Sequence, residues 1–181
     1  MKTILQVEDD PNDVLFLKKA MKKAGVANPI QVASDGQEAI DYLQGAGRFA
    51  DRGEYPFPCL VLLDLKLPYV MGLEVLKWIR KQPGTVLPVI MLSASAEEAD
   101  IVASYHLGAN GFLSKPSEAN KLDDIVKAIK DFWLTHNTLP QESFAAFRME
   151  RMVGLSSLRS LGHPLTGRVM DGSARDLEAT V

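Results

Sequence analysis

The segment from Val61 to Pro68, with the sequence VLLDLKLP, constrains the fold more than any other part of the chain. Its apolar residues stop at Asp64 and the chain turns at Pro68, a pattern typical of a buried parallel strand that ends on a carboxylate. In α/β folds, the carboxyl ends of parallel strands form the functional edge of the sheet. The segment therefore indicates that Asp64 is a metal ligand, a general base or a nucleophile.

Composition narrows the class of protein. The chain has 181 residues, 46% of them hydrophobic, and a formal net charge of −3, so we expect one well-buried domain and no general attraction to nucleic acid. No apolar run approaches the roughly 18 residues that a membrane-spanning helix needs. The single cysteine, Cys59, excludes an intrachain disulfide and fits a reducing compartment. We therefore expect a cytoplasmic protein that is not bound to a membrane.

Strand and helix patterns alternate along the first three quarters of the chain. Short apolar runs predict five strands, at residues 4–7, 30–33, 60–63, 88–92 and 111–114. Helical periodicity follows each strand, beginning at Pro11 and then over residues 37–43, 73–80, 97–107 and 120–134. Asp10 is the predicted N-cap of the first helix, with Pro11 at its first position. This alternation predicts an α/β fold with a doubly wound five-stranded parallel sheet.

The character of the chain changes near residue 140. All twelve lysines precede residue 141, whereas residues 141–181 contain five arginines and five acidic residues. We therefore predict a domain over residues 1–139 and a C-terminal extension over residues 140–181 that is partly helical or weakly ordered. The extension is too short for a DNA-binding domain with a core of its own.

Four of the five predicted strands end on residues whose side chains can bind a metal ion or take part in catalysis. Glu8 and Asp9 follow the first strand, Asp64 the third, Ser93 the fourth and Lys115 the fifth. In a parallel sheet these ends share one edge, where several carboxylates repel one another unless a cation such as Mg²⁺ lies between them. A metal ion, a lysine and a hydroxyl around one carboxylate would form a site for phosphoryl transfer onto that carboxylate.

These motifs resemble the receiver domain of two-component response regulators, over about residues 2–136. The resemblance is carried by VEDD at 7–10, LDLKLP at 63–68, Gly72 with LEVL at 73–76, SA at 93–94, and GANGFLSKP at 108–116. It implies a flavodoxin-like (βα)5 receiver fold. The segments 42–52 and 76–80 resemble a subgroup of single-domain regulators, some of which serve phytochrome-type histidine kinases.

The resemblance assigns a role to each matching residue of the site. Asp64 would accept a phosphoryl group from a sensor histidine kinase, including kinases of the phytochrome type. Glu8, Asp9, Asp64 and the main-chain carbonyl of Lys66 would hold Mg²⁺. Lys115 would pair with the phosphoryl group. The protein would be a signalling module rather than a metabolic enzyme, although it would catalyse its own phosphorylation and dephosphorylation.

The resemblance also implies a conformational switch. Ser93 would move toward the new phosphate and Phe112 would change rotamer with it, although Phe112 also fits an ordinary core aromatic. The surface of the fourth helix, fifth strand and fifth helix would then change, and it is the expected site of homodimerisation or partner docking. In this family the peptide bond corresponding to Lys115–Pro116 is commonly cis. Met71 departs from the pattern, because Asp or Asn usually precedes the glycine at position 72.

Three alternatives compete with this interpretation. A phosphatase of the haloacid-dehalogenase type would carry a second aspartate two residues after the nucleophile, where this chain has Lys66. A flavodoxin-like cofactor carrier would need a phosphate-binding loop rich in Ser, Thr and Gly after the first strand, where Glu8, Asp9 and Asp10 would repel phosphate in the absence of a cation. A degenerate receiver that binds partners without phosphate is disfavoured by the complete set of site residues.

Overall fold

Five parallel strands form a single sheet, as the sequence predicts. The computed structural model describes residues 2–95, 97–116 and 118–140. The strands are β1 (Thr3–Val7), β2 (Ile30–Ala33), β3 (Pro58–Leu63), β4 (Val89–Ser93) and β5 (Gly111–Ser114). Their order in the sheet is β2-β1-β3-β4-β5, and every neighbouring pair is parallel. The chain therefore reverses its winding direction after β2, which places Asp64 at the end of the central strand.

The helices follow the strands with boundaries close to those predicted. They are α1 (Pro11–Lys23), α2 (Gly36–Gln44), α3 (Gly72–Lys81), α4 (Glu98–His106) and α5 (Ala119–Ile129). The predicted cap of α1 is confirmed, because the side chain of Asp10 accepts a hydrogen bond of 2.7 Å from the Asn12 amide. This bond satisfies one of the free amide groups at the start of the helix.

Both faces of the sheet are buried, which explains the continuous apolar runs. Leu60 and Leu62 of β3 pack against α1 and α5, whereas Val61 and Leu63 pack against α2 and α3. All four side chains are at most 2% exposed. Because successive side chains of a strand point to opposite faces, a strand covered on both sides must be apolar at every position.

Helix α5 continues directly into a π-helix, which has wider turns. Residues Lys130–His136 form a π-helix, in which the amide of Asn137 donates to the carbonyl of Phe132. Helical spacing over residues 120–134 predicts Phe132 on the same apolar face as Ile129, and this is wrong, because Phe132 is 55% exposed whereas Ile129 is buried. In a π-helix each turn holds more residues, so the step from Ile129 to Phe132 no longer returns to the same face. Trp133 still packs against the core.

The long connection between α2 and β3 has a defined structure of its own. It contains a 3₁₀-helix, Gly47–Ala50, and it is held by the guanidinium of Arg52. Arg52 donates to the carbonyls of Leu43 at 2.7 Å, Tyr42 at 2.8 Å and Tyr55 at 3.1 Å. The carbonyls of Tyr42 and Leu43 lie in the last turn of α2, where carbonyls lack the usual amide partner four residues on. Residues 44–58 are rich in glycine, proline and charge, which predicts only a surface connection, whereas in the structure one arginine orders the segment.

The predicted extension over residues 140–181 lies almost wholly outside the described residues, which end at residue 140. Among the described helices, none combines the length and the apolar character needed to cross a membrane.

Candidate functional site

The carboxyl ends of β1, β3, β4 and β5 bring the predicted site residues together. The amide of Asp64 donates to the carbonyl of Val7 at 3.1 Å, so that β1 and β3 end side by side. The amide of Lys115 donates to the carbonyl of Ser93 at 2.8 Å, which aligns β4 and β5 in the same way. Backbone pairing alone therefore carries the acidic residues, the hydroxyl and the lysine to one edge of the sheet.

Lys115 lies at the centre of the site and contacts three carboxylates. Its Nζ is 2.5 Å from Oε2 of Glu8, 2.6 Å from Oδ2 of Asp64 and 2.8 Å from Oδ2 of Asp13. The side chains of Glu8, Asp64 and Lys115 are only 4%, 9% and 13% exposed, whereas that of Asp13 is 38% exposed. A single ammonium thus neutralises part of a cluster of negative charge that is largely shielded from water.

Burial and the contacts between Lys115 and the acids shift the pKa values of Lys115 and Glu8 in opposite directions. Burial disfavours the charged ammonium of Lys115, but hydrogen bonds to Asp13, Asp64 and Glu8 outweigh it and raise the lysine's pKa above its ordinary value. Burial also raises the pKa of Glu8, and the charge of Asp64 adds to this, although Lys115 acts in the opposite direction. The lysine is therefore firmly protonated, and its single positive charge faces three carboxyl groups.

The acidic residues fit a divalent cation. Glu8, Asp9 and Asp64 each offer a carboxylate oxygen, and these oxygens lie within 4.8 Å of one another. Oxygen ligands from carboxylates suit Mg²⁺, which commonly uses one or two of them together with water. Asp10 does not belong to this group, because its carboxylate caps α1. The converging carboxylate oxygens therefore fit the metal that the sequence predicts.

An open cavity of about 460 Å³ gives access to Asp64. Its lining includes Lys66 and Ser93, together with the chain that follows β4. Ser93 is 1% exposed, and its Oγ accepts a hydrogen bond of 3.3 Å from the amide of Ser95. Phe112 lies in β5, half-buried against the core on the side of α2 and α3. The structure therefore places Ser93 in the lining of the same cavity as Asp64, and Phe112 on the strand next to β4.

The peptide bond between Lys115 and Pro116 is trans. The cis bond that the family resemblance implies at this position is therefore wrong for the described structure. Lys115 nonetheless reaches Asp64 and Glu8. Formation of the ion pairs does not require the cis isomer.

The backbone of the loop after β3 packs closely against two glycines. A Cβ added to Gly72 would lie 2.0 Å from the carbonyl oxygen of Asp64, and one added to Gly36 would lie 1.9 Å from that of Val70. The amide of Gly72 also donates to the carbonyl of Leu65 at 2.9 Å. Glycine at position 72 therefore lets α3 begin against the backbone of Asp64.

Met71 has a structural consequence at the start of α3. It occupies the N-cap position in an extended conformation but makes no side-chain capping bond. We expect Met71→Asn to raise the free energy of unfolding by about 1 kcal/mol, because asparagine can accept a bond from a free amide of the first turn. Urea denaturation would measure the change, with Met71→Ala as the control that lacks a capping group. Equal stability of the two variants would contradict the expected cap.

Sequence reasoning missed one residue of the site. Asp13 lies in the first turn of α1, where an acid is ordinarily explained by its interaction with the helix dipole. The structure instead pairs it with Lys115, which is 102 positions away in sequence. The only local signal was its position one helical turn from the acids that follow β1, and this spacing does not specify a partner.

The sequence of this chain is similar to those of known proteins. Residues 4–127 match the family model described as the response regulator receiver domain. The response regulator Rcp1 of Synechocystis sp. is 36% identical over 140 residues, which cover 77% of this chain and 93% of Rcp1.

Two solved structures extend the comparison. A structure described as the Mn²⁺-bound form of Rcp1 has a TM-score of 0.70 and 36% identity, with coverage of 77% of this chain and 99% of that one. A structure of the phosphorylated cyanobacterial phytochrome response regulator RcpA has a TM-score of 0.71 and 38% identity, with the same coverage.

Proposed function

The chain belongs to the response regulator receiver family of two-component signalling, and on this premise we propose that Asp64 accepts a phosphoryl group in a Mg²⁺-dependent reaction. One observation carries the proposal. Asp64 is the carboxylate that both contacts Lys115, at 2.6 Å, and lines the open cavity together with Ser93. Its neighbours Glu8 and Asp9 complete the set of converging oxygens.

The acidic residues have a defined role in this proposal. Glu8, Asp9 and Asp64 would hold Mg²⁺, with the main-chain carbonyl of Lys66 as a further ligand. When bound, the ion supplies positive charge that offsets the negative charge of the phosphoryl oxygens during transfer. The Mn²⁺-bound structure of Rcp1 supports a divalent ion in this family.

The chain's own residues account for the remaining chemistry. An oxygen of Asp64 attacks the phosphorus of a phosphohistidine, the P–N bond breaks, and the released imidazole takes up a proton. Lys115 stabilises the transferred group through its ammonium, because it already lies against the attacking carboxylate. The hydroxyl of Ser93 can donate to a phosphoryl oxygen, since its only described bond is one that it accepts. Hydrolysis of the resulting acyl phosphate restores Asp64.

A sensor histidine kinase is the proposed phosphodonor. The similarity to RcpA, described as a phytochrome response regulator, supports a kinase of the phytochrome type. Phosphorylation would bias a two-state equilibrium through Ser93 and Phe112 and alter the face formed by α4, β5 and α5. Val102 and Tyr105 of α4 are 42% and 51% exposed, so this face offers apolar surface for a homodimer or another partner.

Acetyl phosphate provides a direct test that requires no kinase. In the presence of Mg²⁺, intact-mass spectrometry should show one added phosphoryl group on the wild type and none on Asp64→Asn. Chelation of the metal with EDTA should prevent the addition. Asp10→Asn is the matched control. Asparagine keeps the cap of α1, and Asp10 is neither the proposed phosphoacceptor nor a proposed metal ligand. A phosphorylated Asp64→Asn variant, or an unmodified wild type, would refute the mechanism.

A further inference from the structure

Asp13 is the acidic partner of Lys115 that the proposed reaction leaves without a role. Its carboxylate lies 2.8 Å from Nζ of Lys115, but it does not belong to the converging set of Glu8, Asp9 and Asp64. It is also the most exposed of the three acids that contact the lysine. The contact joins α1 to the end of β5 across the edge of the sheet.

Packing alone does not fix the side chain of Lys115. A cavity of about 60 Å³ adjoins it, lined by residues that include Gln6, Leu17 and Leu92. Among the described residues, Oε1 of Gln6, a residue of this lining, is one of two buried side-chain polar atoms without a hydrogen-bond partner. Tightly packed neighbours would leave no such space. The position of the ammonium therefore depends on its ion pairs.

The ammonium has a limited number of hydrogen bonds to give. Lysine carries three N–H donors, and in this structure the three partners are Glu8, Asp13 and Asp64. In the proposed reaction Glu8 contributes to the metal site and Asp64 becomes an acyl phosphate. Asp13 is then the one partner that neither binds the metal nor receives the phosphoryl group, and it can stay bound to Lys115 through the cycle.

We infer that Asp13 is a positioning residue, which holds the ammonium of Lys115 over Asp64 so that it meets the incoming phosphoryl group. The inference rests on the proposed function, because the role of Asp13 is defined by what Lys115 does. Asp13 does not touch the reacting atoms. Its effect passes through the lysine, whose side chain would otherwise be free to turn toward the adjoining cavity.

The test measures the rate constant of phosphorylation at saturating Mg²⁺ with acetyl phosphate as donor. We expect Asp13→Ala to lower this rate constant about tenfold, as the loss of a group that orients a reactive residue commonly does. Asp13→Asn retains an oxygen that can accept a bond from Lys115, although without charge, so its rate constant should lie between those of the wild type and Asp13→Ala. Thermal unfolding of each variant checks that the fold is retained.

A spectroscopic measurement separates positioning from a general effect on structure. The side-chain ¹⁵N resonance of Lys115 should shift in Asp13→Ala, because the ammonium loses one of its three acceptors. Asp123→Ala is the matched control. It removes the same charge and breaks an ion pair between α5 and Lys23 of α1, but it has no contact with Lys115. Its phosphorylation rate and its Lys115 resonance should equal those of the wild type.

The possible outcomes are distinct. If the wild type is phosphorylated and Asp13→Ala matches Asp123→Ala in both rate and Lys115 resonance, Asp13 is not a positioning residue and the proposed function still stands. If the wild type itself gains no phosphoryl group from acetyl phosphate, the proposed function fails first. A tenfold slower Asp13→Ala with a shifted lysine resonance, beside an unchanged Asp123→Ala, establishes the inference.

Discussion

Substituting alanine for Gly72 is expected to lower the free energy of unfolding by about 3 kcal/mol, near the upper end of the cost of overpacking. The added Cβ would lie 2.0 Å from the carbonyl oxygen of Asp64 and 2.9 Å from Cα of Leu65. Both neighbours are backbone atoms, so a rotamer change cannot relieve the clash. Urea denaturation followed by circular dichroism would measure the loss of stability.

The same substitution should also strongly impair phosphorylation. The loop that must move carries Asp64 and the proposed carbonyl ligand of Lys66, so the acceptor would leave its position beside Lys115. Intact-mass spectrometry after incubation with acetyl phosphate and Mg²⁺ would detect this loss below the unfolding transition.

Gly111→Ala is the matched control for Gly72→Ala. A Cβ at Gly111 would lie 3.9 Å from Cγ2 of Ile90, an ordinary contact distance. This variant should therefore fold and become phosphorylated normally. Wild-type stability and phosphorylation in Gly72→Ala would contradict the close approach of α3 to the acceptor loop.

Removal of the positive charge at position 115 is expected to have the second large effect. Lys115→Met leaves Glu8 and Asp64 as buried carboxylates without their counter-ion, and we expect this to cost about 3 kcal/mol of stability in EDTA. The phosphorylation rate should fall about a hundredfold, as when a preorganised donor to a developing anion is removed. Urea denaturation and acetyl phosphate kinetics would measure the two effects.

Magnesium should restore part of the stability that Lys115→Met loses. The ion binds the folded arrangement of Glu8, Asp9 and Asp64 and therefore stabilises it by mass action. Lys121→Met is a suitable control, since Lys121 pairs with Glu118 at the surface, where both side chains are more than half exposed. Such a pair contributes about 0–1 kcal/mol. Equal stability of the two variants in EDTA would show that Lys115 does not neutralise a buried acidic cluster.

The periodicity of the sequence was sufficient to predict the five strands and the five α-helices in their order along the chain. The predicted strand at residues 30–33 matches β2 in the structure, and that at residues 111–114 matches β5. The predictions succeed here because apolar runs and helical spacing report directly on local geometry. They fail where local geometry changes without a sequence signal, as at Phe132, where the turn widens into a π-helix.

The ordered segment between α2 and β3 shows a second limit of prediction from the sequence. Its glycines, prolines and charges indicated a loop, but not that Arg52 would bind three carbonyls and hold the segment in place. Which carbonyls an arginine reaches depends on how the chain folds back. The spacing of residues along the sequence does not contain that information.

The sequence by itself determined which residues stand at the ends of the strands, and hence that Glu8, Asp64, Ser93 and Lys115 share one edge of a parallel sheet. The reason is that the alternation of strands with helices predicts parallel strands, and the carboxyl ends of parallel strands lie on one edge. Only the tertiary structure decided that Lys115 distributes its three bonds among Glu8, Asp13 and Asp64. These contacts depend on distances of a few ångströms between distant parts of the chain, which are set by the packing of α1 and β5 around the sheet.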